Sequence, residues 1–271
     1  MDLLETLRHD LTAERAELDA ILAPLSGAAW ETPTPADGWT IRDTVAHLHR
    51  SDEAALTALR DPDRFRRDFV AISKGVLNPT YEGDAARLFA AWRATGGQVT
   101  EAVAAVPRGE KIVWLGPPLS PPWFLTGRLM ETWAHGQDIV DALGLTRVPT
   151  GRLRHIADLG VRTRSWSYTT RGRTCPDVPV RVELTGPGQG TWGPEDAADT
   201  VRGTAVDFCL LVTQRRHRAD VAVQAQGPAA QEWLDLAQAY AGPTGAGRSP
   251  GQVAQATAGP TAGPTAGTTA G

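Results

Sequence analysis

A chain of 271 residues with 41% hydrophobic composition holds enough apolar material for one large domain or two small ones with real cores. A formal net charge of -4, with no Lys/Arg cluster interleaved with aromatics, argues against a nucleic-acid surface. No run of 18 apolar residues exists to cross a membrane as a helix, and residues 1–10 open directly into a charged amphipathic pattern without a signal or lipidation motif, so a cytoplasmic location is expected.

Leu3, Leu4, Leu7, Leu11, Leu18, Ile21, Leu22 and Leu25 recur at steps of three and four, which predicts an amphipathic helix over 2–25. A Pro/Thr/Gly loop follows to Gly38. Thr40 with Asp43 three residues on has the form of a capping box, opening a second helix that carries His47 and runs to about Leu59. Asp61 to Gly83 reads as polar and broken. A third helix, about Asp84 to Val106, sets Leu88, Phe89, Trp92, Val99, Val103 and Val106 on one side. The prolines of 112–122 predict an extended loop leading to a fourth helix. Four helices joined by two long loops make an antiparallel bundle.

Beyond Gly151 the pattern changes. A helix is expected near Leu153 to Trp166, then an Arg/Ser/Thr loop, an alternating strand over 178–184 and a turn at 186–190. A helix over 200–215, a short strand over 220–225 and a helix over 229–241 complete the expectation. The fold class is therefore α+β: a helical bundle over 1–148, a smaller α+β domain over 149–243, and a disordered Gly/Pro/Thr/Ala tail over 244–271 that is dispensable from about Arg248 onward.

The fourth helix places Arg128, Glu131, His135 and Asp138 at i, i+3, i+7 and i+10, a single polar stripe. Its neighbours Leu129, Met130, Trp133, Ile139 and Val140 belong to a packed helix, so the stripe faces a lined cavity. Glu131 and His135 can reach one cation, and carboxylate with neutral imidazole is an ordinary pairing for a divalent transition metal. A third ligand must come from another helix, and His47 sits mid-way along the second. The competing reading of each histidine is a hydrogen-bonded core residue.

Asp138 and Arg128 are the residues expected to act beside such a site. Asp138 reads as the group that orients a ligand imidazole, with a general-base role as the alternative. Arg128 either grips a substrate carboxylate with its planar fork or forms a structural ion pair. Asp43 reads as a helix cap. Trp39, Trp123 and Trp133 line a hydrophobic pocket or fill the core. The arginines of 162–173 grip an anionic or sugar-bearing ligand or belong to a solvated linker. His9, His49, His155 and His217 lack ligand-like placement, and Cys175 and Cys209, without CxxC spacing, are expected as free thiols.

Gly38-Trp39-Thr40-Ile41-Arg42-Asp43-x-Val45-Ala46-His47-Leu48, taken with Arg128-x-x-Glu131-x-Trp133-x-His135-x-x-Asp138, resembles the DinB-fold superfamily in its actinobacterial branch of mycothiol-dependent maleylpyruvate isomerase-like proteins. The resemblance covers residues 1 to about 243, and Ala237 to Arg248 is similar to the ending of a subgroup described only as metal-binding. It implies a four-helix DinB bundle, Zn²⁺ or another divalent cation held by His47, Glu131 and His135, and a smaller C-terminal domain that closes the site and contributes an arginine. It further implies mycothiol as a possible cofactor, a small-molecule substrate, no nucleic-acid or membrane partner, and a monomer or homodimer. The implied activity is activation of mycothiol at the metal for isomerisation of, or transfer to, a small electrophilic substrate. Two alternatives remain open: a thiol-independent metalloenzyme of hydrolase, lyase or cyclase type, and a metal-binding module without turnover.

Overall fold

A computed structural model of the protein describes residues 2–77, 81, 83–242, 244, 245 and 247–252. The N-terminal part comprises α1 (Leu3–Leu22), α2 (Ile41–Arg60), α3 (Pro62–Arg67), α4 (Phe69–Leu77), α5 (Ala85–Ala104) and α6 (Pro121–Ala142). The C-terminal part comprises α7 (Leu153–Arg162), α8 (Arg164–Thr169), β1 (Val180–Thr185), β2 (Gly190–Trp192), β3 (Asp199–Thr204), α9 (Ala205–Val212), β4 (Gln224–Gln226) and α10 (Pro228–Leu236). The α+β class expected from the sequence is therefore the observed one. No helix among the described residues is long and apolar enough to cross a membrane.

The four long helices are those the apolar spacing predicted. α1 packs on α5 and α6, and α2 packs on the same two, so each long helix touches two others. α1 buries Leu7, Leu11, Leu18 and Leu22 along one stripe. Segment 61–83 departs from its reading as merely broken, because Asp61 accepts from Arg64 N and Pro62 occupies the first turn, which together start α3. The expected loop over 112–122 ends early for the same reason. Pro121 and Pro122 open α6 rather than prevent it, since a first-turn residue has no intrahelical N–H bond to lose. Within the remaining loop Ile112 and Leu119 form an isolated antiparallel bridge.

The sheet has the order β2-β1-β3-β4, with β1 parallel to β3 and the other two pairs antiparallel. The helix expected over 200–215 is two elements. Thr200, Val201 and Thr204 favour extended backbone, and the Thr204 hydroxyl then caps α9 by accepting from Asp207 N. The expected helix over 153–166 breaks at Thr163, and α8 occupies part of the expected loop. Gly160 lets α7 lie close on α9, where a Cβ would come within 2.9 Å of Val212. Leu129, Met130 and Trp133 of α6 share one apolar cluster with Ile156 of α7, Phe208 of α9 and Trp233 of α10, so the C-terminal part is packed onto the bundle.

Residues 247–252, within the tail expected over 244–271, make defined contacts with the rest of the chain. Arg248 donates from Nη2 to Asp138 Oδ1 at 2.7 Å, and Gly251 N donates to the Asp220 carboxylate at 2.9 and 3.0 Å. The overall Gly/Pro/Thr/Ala composition hid a single cation that reaches a buried carboxylate. The rest of the expected tail, 253–271, lies outside the described residues.

Candidate metal centre

The geometry begins with the start of α2. Asp43 N donates to Thr40 Oγ1 at 3.2 Å, and Asp43 Oδ2 accepts from Thr40 N at 3.0 Å, so the capping box is present and Asp43 is a cap. It fixes the N-cap at Thr40, seven residues before His47. Trp39, immediately outside the cap, lies against both imidazoles: its ring is 5.2 Å from that of His47 and stacks at 5.8 Å on that of His135.

His47 is buried, and its Nδ1 lies 2.8 Å from the carbonyl oxygen of Val76 on α4. A carbonyl only accepts, so Nδ1 carries the proton and Nε2 presents its lone pair. That nitrogen stands 3.6 Å from Glu131 Oε2. On α6, His135 Nε2 stands 3.4 Å from the same oxygen, while its Nδ1 faces Asp138 Oδ2 at 3.3 Å. Arg215 Nη2 also approaches this Nδ1, at 3.4 Å, but the fully buried carboxylate favours a proton there. Ligand-type atoms of His47, Glu131 and His135 all lie within 4.8 Å of one another, the one such cluster among the described residues.

Burial, together with the neighbouring His135, pushes the His47 pKa down. Burial acts the same way on His135, but the Asp138 and Glu131 carboxylates outweigh it and the net shift is upward. Glu131 is held well below the usual carboxylate range: burial opposes this, and the two imidazoles and Arg128 prevail. When both imidazoles are neutral with Nδ1–H directed outward, two nitrogen lone pairs and a carboxylate converge on one point. Such a donor set repels itself unless a cation sits at its centre, and its N/N/O composition fits a divalent transition metal.

Asp138 is fully buried on the far side of His135. Besides Arg248 it has Arg215 Nε at 3.0 Å from Oδ2. Burial alone would raise its pKa, but Arg215, His135 and Arg248 lower it to about 2. Arg128 is buried, donates to Ser51 Oγ, and lies over the Trp114 ring at 4.9 Å. No carboxylate lies within ion-pair distance of it among the described residues, so the structural ion pair considered from the sequence is not made; nearby Asp52 is engaged by Arg15. Arg128 and Glu131 instead line a cavity of about 200 Å³ whose walls include Trp114, Trp123, Met130 and Tyr240.

The remaining candidates divide. Trp133 is core, with Arg147 over its ring at 5.7 Å. Arg162 of the arginine run pairs with Asp158 at the cavity edge, and Arg173 pairs with Glu232. His49 faces Glu53, His9 and His155 face Asp10, and His217 caps a short turn. Cys175 and Cys209 are free, and burial pushes the Cys209 thiol up.

A family model of the mycothiol maleylpyruvate isomerase N-terminal domain matches residues 11–140, which include His47, Glu131 and His135. Mycothiol-dependent maleylpyruvate isomerase itself, as a crystal structure, superposes with a TM-score of 0.52 at 16% identity, covering 84% of this chain and 95% of that one. A histidine-to-alanine mutant of the same protein gives 0.55 at 15% identity with the same coverage. This chain belongs to the mycothiol maleylpyruvate isomerase-like branch of the DinB fold. The proteins Rv0036c and MT0041 of Mycobacterium tuberculosis are each 48% identical over 251 residues, 88% of this chain and 96% of theirs. A second family model, described as wyosine base formation, matches residues 176–226, the segment that holds all four strands.

In this member of the branch, three contacts around the cluster had no individual forecast from the sequence. The Val76 carbonyl carries no sequence signal, because every residue offers the same backbone acceptor. Arg215, which bonds Ala134 O at 2.9 Å, fell at the end of an expected helix and lies in fact just beyond α9. Arg248 lay in the expected tail. Arg215 and Arg248 both reach Asp138, behind His135.

Proposed function

We propose that this protein is a cytoplasmic enzyme in which His47, Glu131 and His135 hold a divalent cation, Zn²⁺ in the first instance, and mycothiol is activated for isomerisation of, or transfer to, a small electrophilic substrate. The observation that carries the reading is the convergence of two Nε2 lone pairs on a buried carboxylate, with each imidazole fixed from behind by Val76 O or Asp138. The names of the structural relatives and of the matching domain support the choice of mycothiol. Three protein ligands leave coordination positions open, the pattern of a catalytic site, and a bound cation there supplies Lewis acidity and acidifies a thiol or water.

The chain's own residues have distinct parts in this reading. Val76 and Asp138 set the tautomers, Trp39 shields one flank of both imidazoles from water, and Glu131 joins the cluster to the cavity. Asp138, held at about 2, stays ionised and serves as a positioning residue rather than a proton acceptor. Elemental analysis tests the site: about one divalent metal per chain is expected, lost in His47→Ala and in His135→Ala. Unchanged metal content in both variants overturns the ligand assignment. Calorimetric titration tests the thiol. Mycothiol is expected to bind the metal-loaded protein far more tightly than the stripped one, and equal or absent binding moves the reading to a thiol-independent metalloenzyme of the same fold.

A further inference from the structure

We infer that the cavity beside Glu131 receives a small planar monoacid, one apolar ring bearing one carboxylate, with Arg128 as the partner of that carboxylate. That the bound acid is a substrate rests on the proposed function; that it binds does not.

Size is the first argument. A cavity of roughly 150 Å³ lined by apolar side chains takes up benzene, so one of about 200 Å³ has room for a ring and a carboxylate. Shape and polarity come next. Trp114 and Leu119 of the loop before α6, Trp123 and Met130 of α6 and Trp166 of α8 make a wall of aromatic and aliphatic side chains, which suits an apolar ring better than a flexible polar chain.

Charge decides the rest. Arg128 is 6% exposed, and its partners are a neutral hydroxyl and an aromatic face. A buried cation with neutral partners carries an uncompensated desolvation cost, and burial indeed lowers the Arg128 pKa despite the attraction of Glu131 and Asp52. Neither of those carboxylates is available to it: Glu131 faces the two histidines and Asp52 is taken by Arg15. The guanidinium fork matches a carboxylate in two parallel hydrogen bonds. The second cation on the cavity wall, Arg162, is already paired with Asp158 and is largely in solvent, so the site offers compensation for one negative charge and not two.

The test uses the full chain, its metal content measured first, with benzoate, benzamide and maleate titrated by tryptophan fluorescence and calorimetry. Benzoate is expected to bind saturably, with benzamide and maleate each at least tenfold weaker. Arg128→Gln should bring benzoate down to the level of benzamide at unchanged metal content, while Trp123→Leu should weaken both ring ligands together. Equal binding of benzoate and benzamide by the wild type, or tighter binding of maleate, overturns the inference without any variant having to fold. So does loss of benzoate binding on metal removal with Arg128→Gln unaffected, since the cation would then be holding the carboxylate. A protein that takes up no metal but still discriminates benzoate from benzamide refutes the proposed function and leaves this site standing.

Discussion

Asp138 stands between an imidazole and two guanidinium groups, and that placement separates two roles the sequence left open. A carboxyl held at about 2 by Arg215, His135 and Arg248 is a poor proton acceptor near neutrality, but a strong partner for an Nδ1–H. Asp138→Asn should therefore lower metal affinity by roughly 10–100-fold. Wild-type metal affinity with turnover reduced by about 10²–10⁴-fold would instead mark a general base. The two histidines also predict a pH dependence. His135, shifted up, takes a proton first as pH falls through the ordinary histidine value of about 6.5 and above, and His47, shifted down, follows at lower pH. Protons and metal compete for the same Nε2 atoms, so affinity should be full at mildly alkaline pH and fall progressively on acidification. A metal titration giving constant affinity from about pH 8 to 5.5 would contradict the ligand set. The three residues of the candidate cluster, His47, Glu131 and His135, were legible through helical spacing and motif. Of their supports, Asp138 was legible from its spacing on α6, whereas Val76 was not, since it acts through its backbone.

Local chemistry explains which elements could be read directly. α2 was legible because Thr40 and Asp43 make the reciprocal bonds their spacing advertises. α6 was misplaced at its start because proline has opposite meanings in the first turn and in the interior of a helix. β3 was absorbed into an expected helix because the apolar run from Ala205 to Val212 dominates any window that includes Thr200 to Thr204. The α2 start also bears on the site, since Trp39 and His47 flank the cap. Thr40→Ala removes the hydroxyl that accepts from Asp43 N and should cost about 1 kcal/mol, a drop of roughly 2–4 °C in Tm for a chain of this size. Thr40→Ser should retain most of that stability. Thermal unfolding of the two variants decides it, and equal melting of Thr40→Ala and the wild type would show that packing of Trp39 alone sets the helix start.

At the scale of the whole molecule, the bundle and the C-terminal part share a core, and the chain returns from beyond α10 to the back of the His47, Glu131 and His135 cluster. Arg248 reaches Asp138 and also Pro35 O, while Gly251 N is tied to Asp220, so one short segment touches the α2 entry loop, α6 and the C-terminal part. A chain ending at Gln252 should behave as the full one, because nothing in the composition of the remainder offers an apolar face. A chain ending at Gly247 should lose about 1–3 kcal/mol and bind metal more weakly; Arg215 stays on Asp138, which keeps the loss below that of a fully orphaned buried charge. Arg248→Gln should reproduce most of this. The sign of its pH dependence follows from the depressed Asp138 pKa. The ionised carboxyl contributes roughly 2 kcal/mol above its ordinary value of about 3.9, and that contribution disappears as pH falls toward about 2. Without Arg248 the carboxyl returns part of the way to its ordinary value, so the deficit of Arg248→Gln should be largest near neutrality and shrink on acidification through that window. Denaturant unfolding of both proteins across the acid range reads it directly. A deficit that does not change with pH would mean that Arg248 acts through packing and the Pro35 contact, and that the charge on Asp138 is held by Arg215 alone.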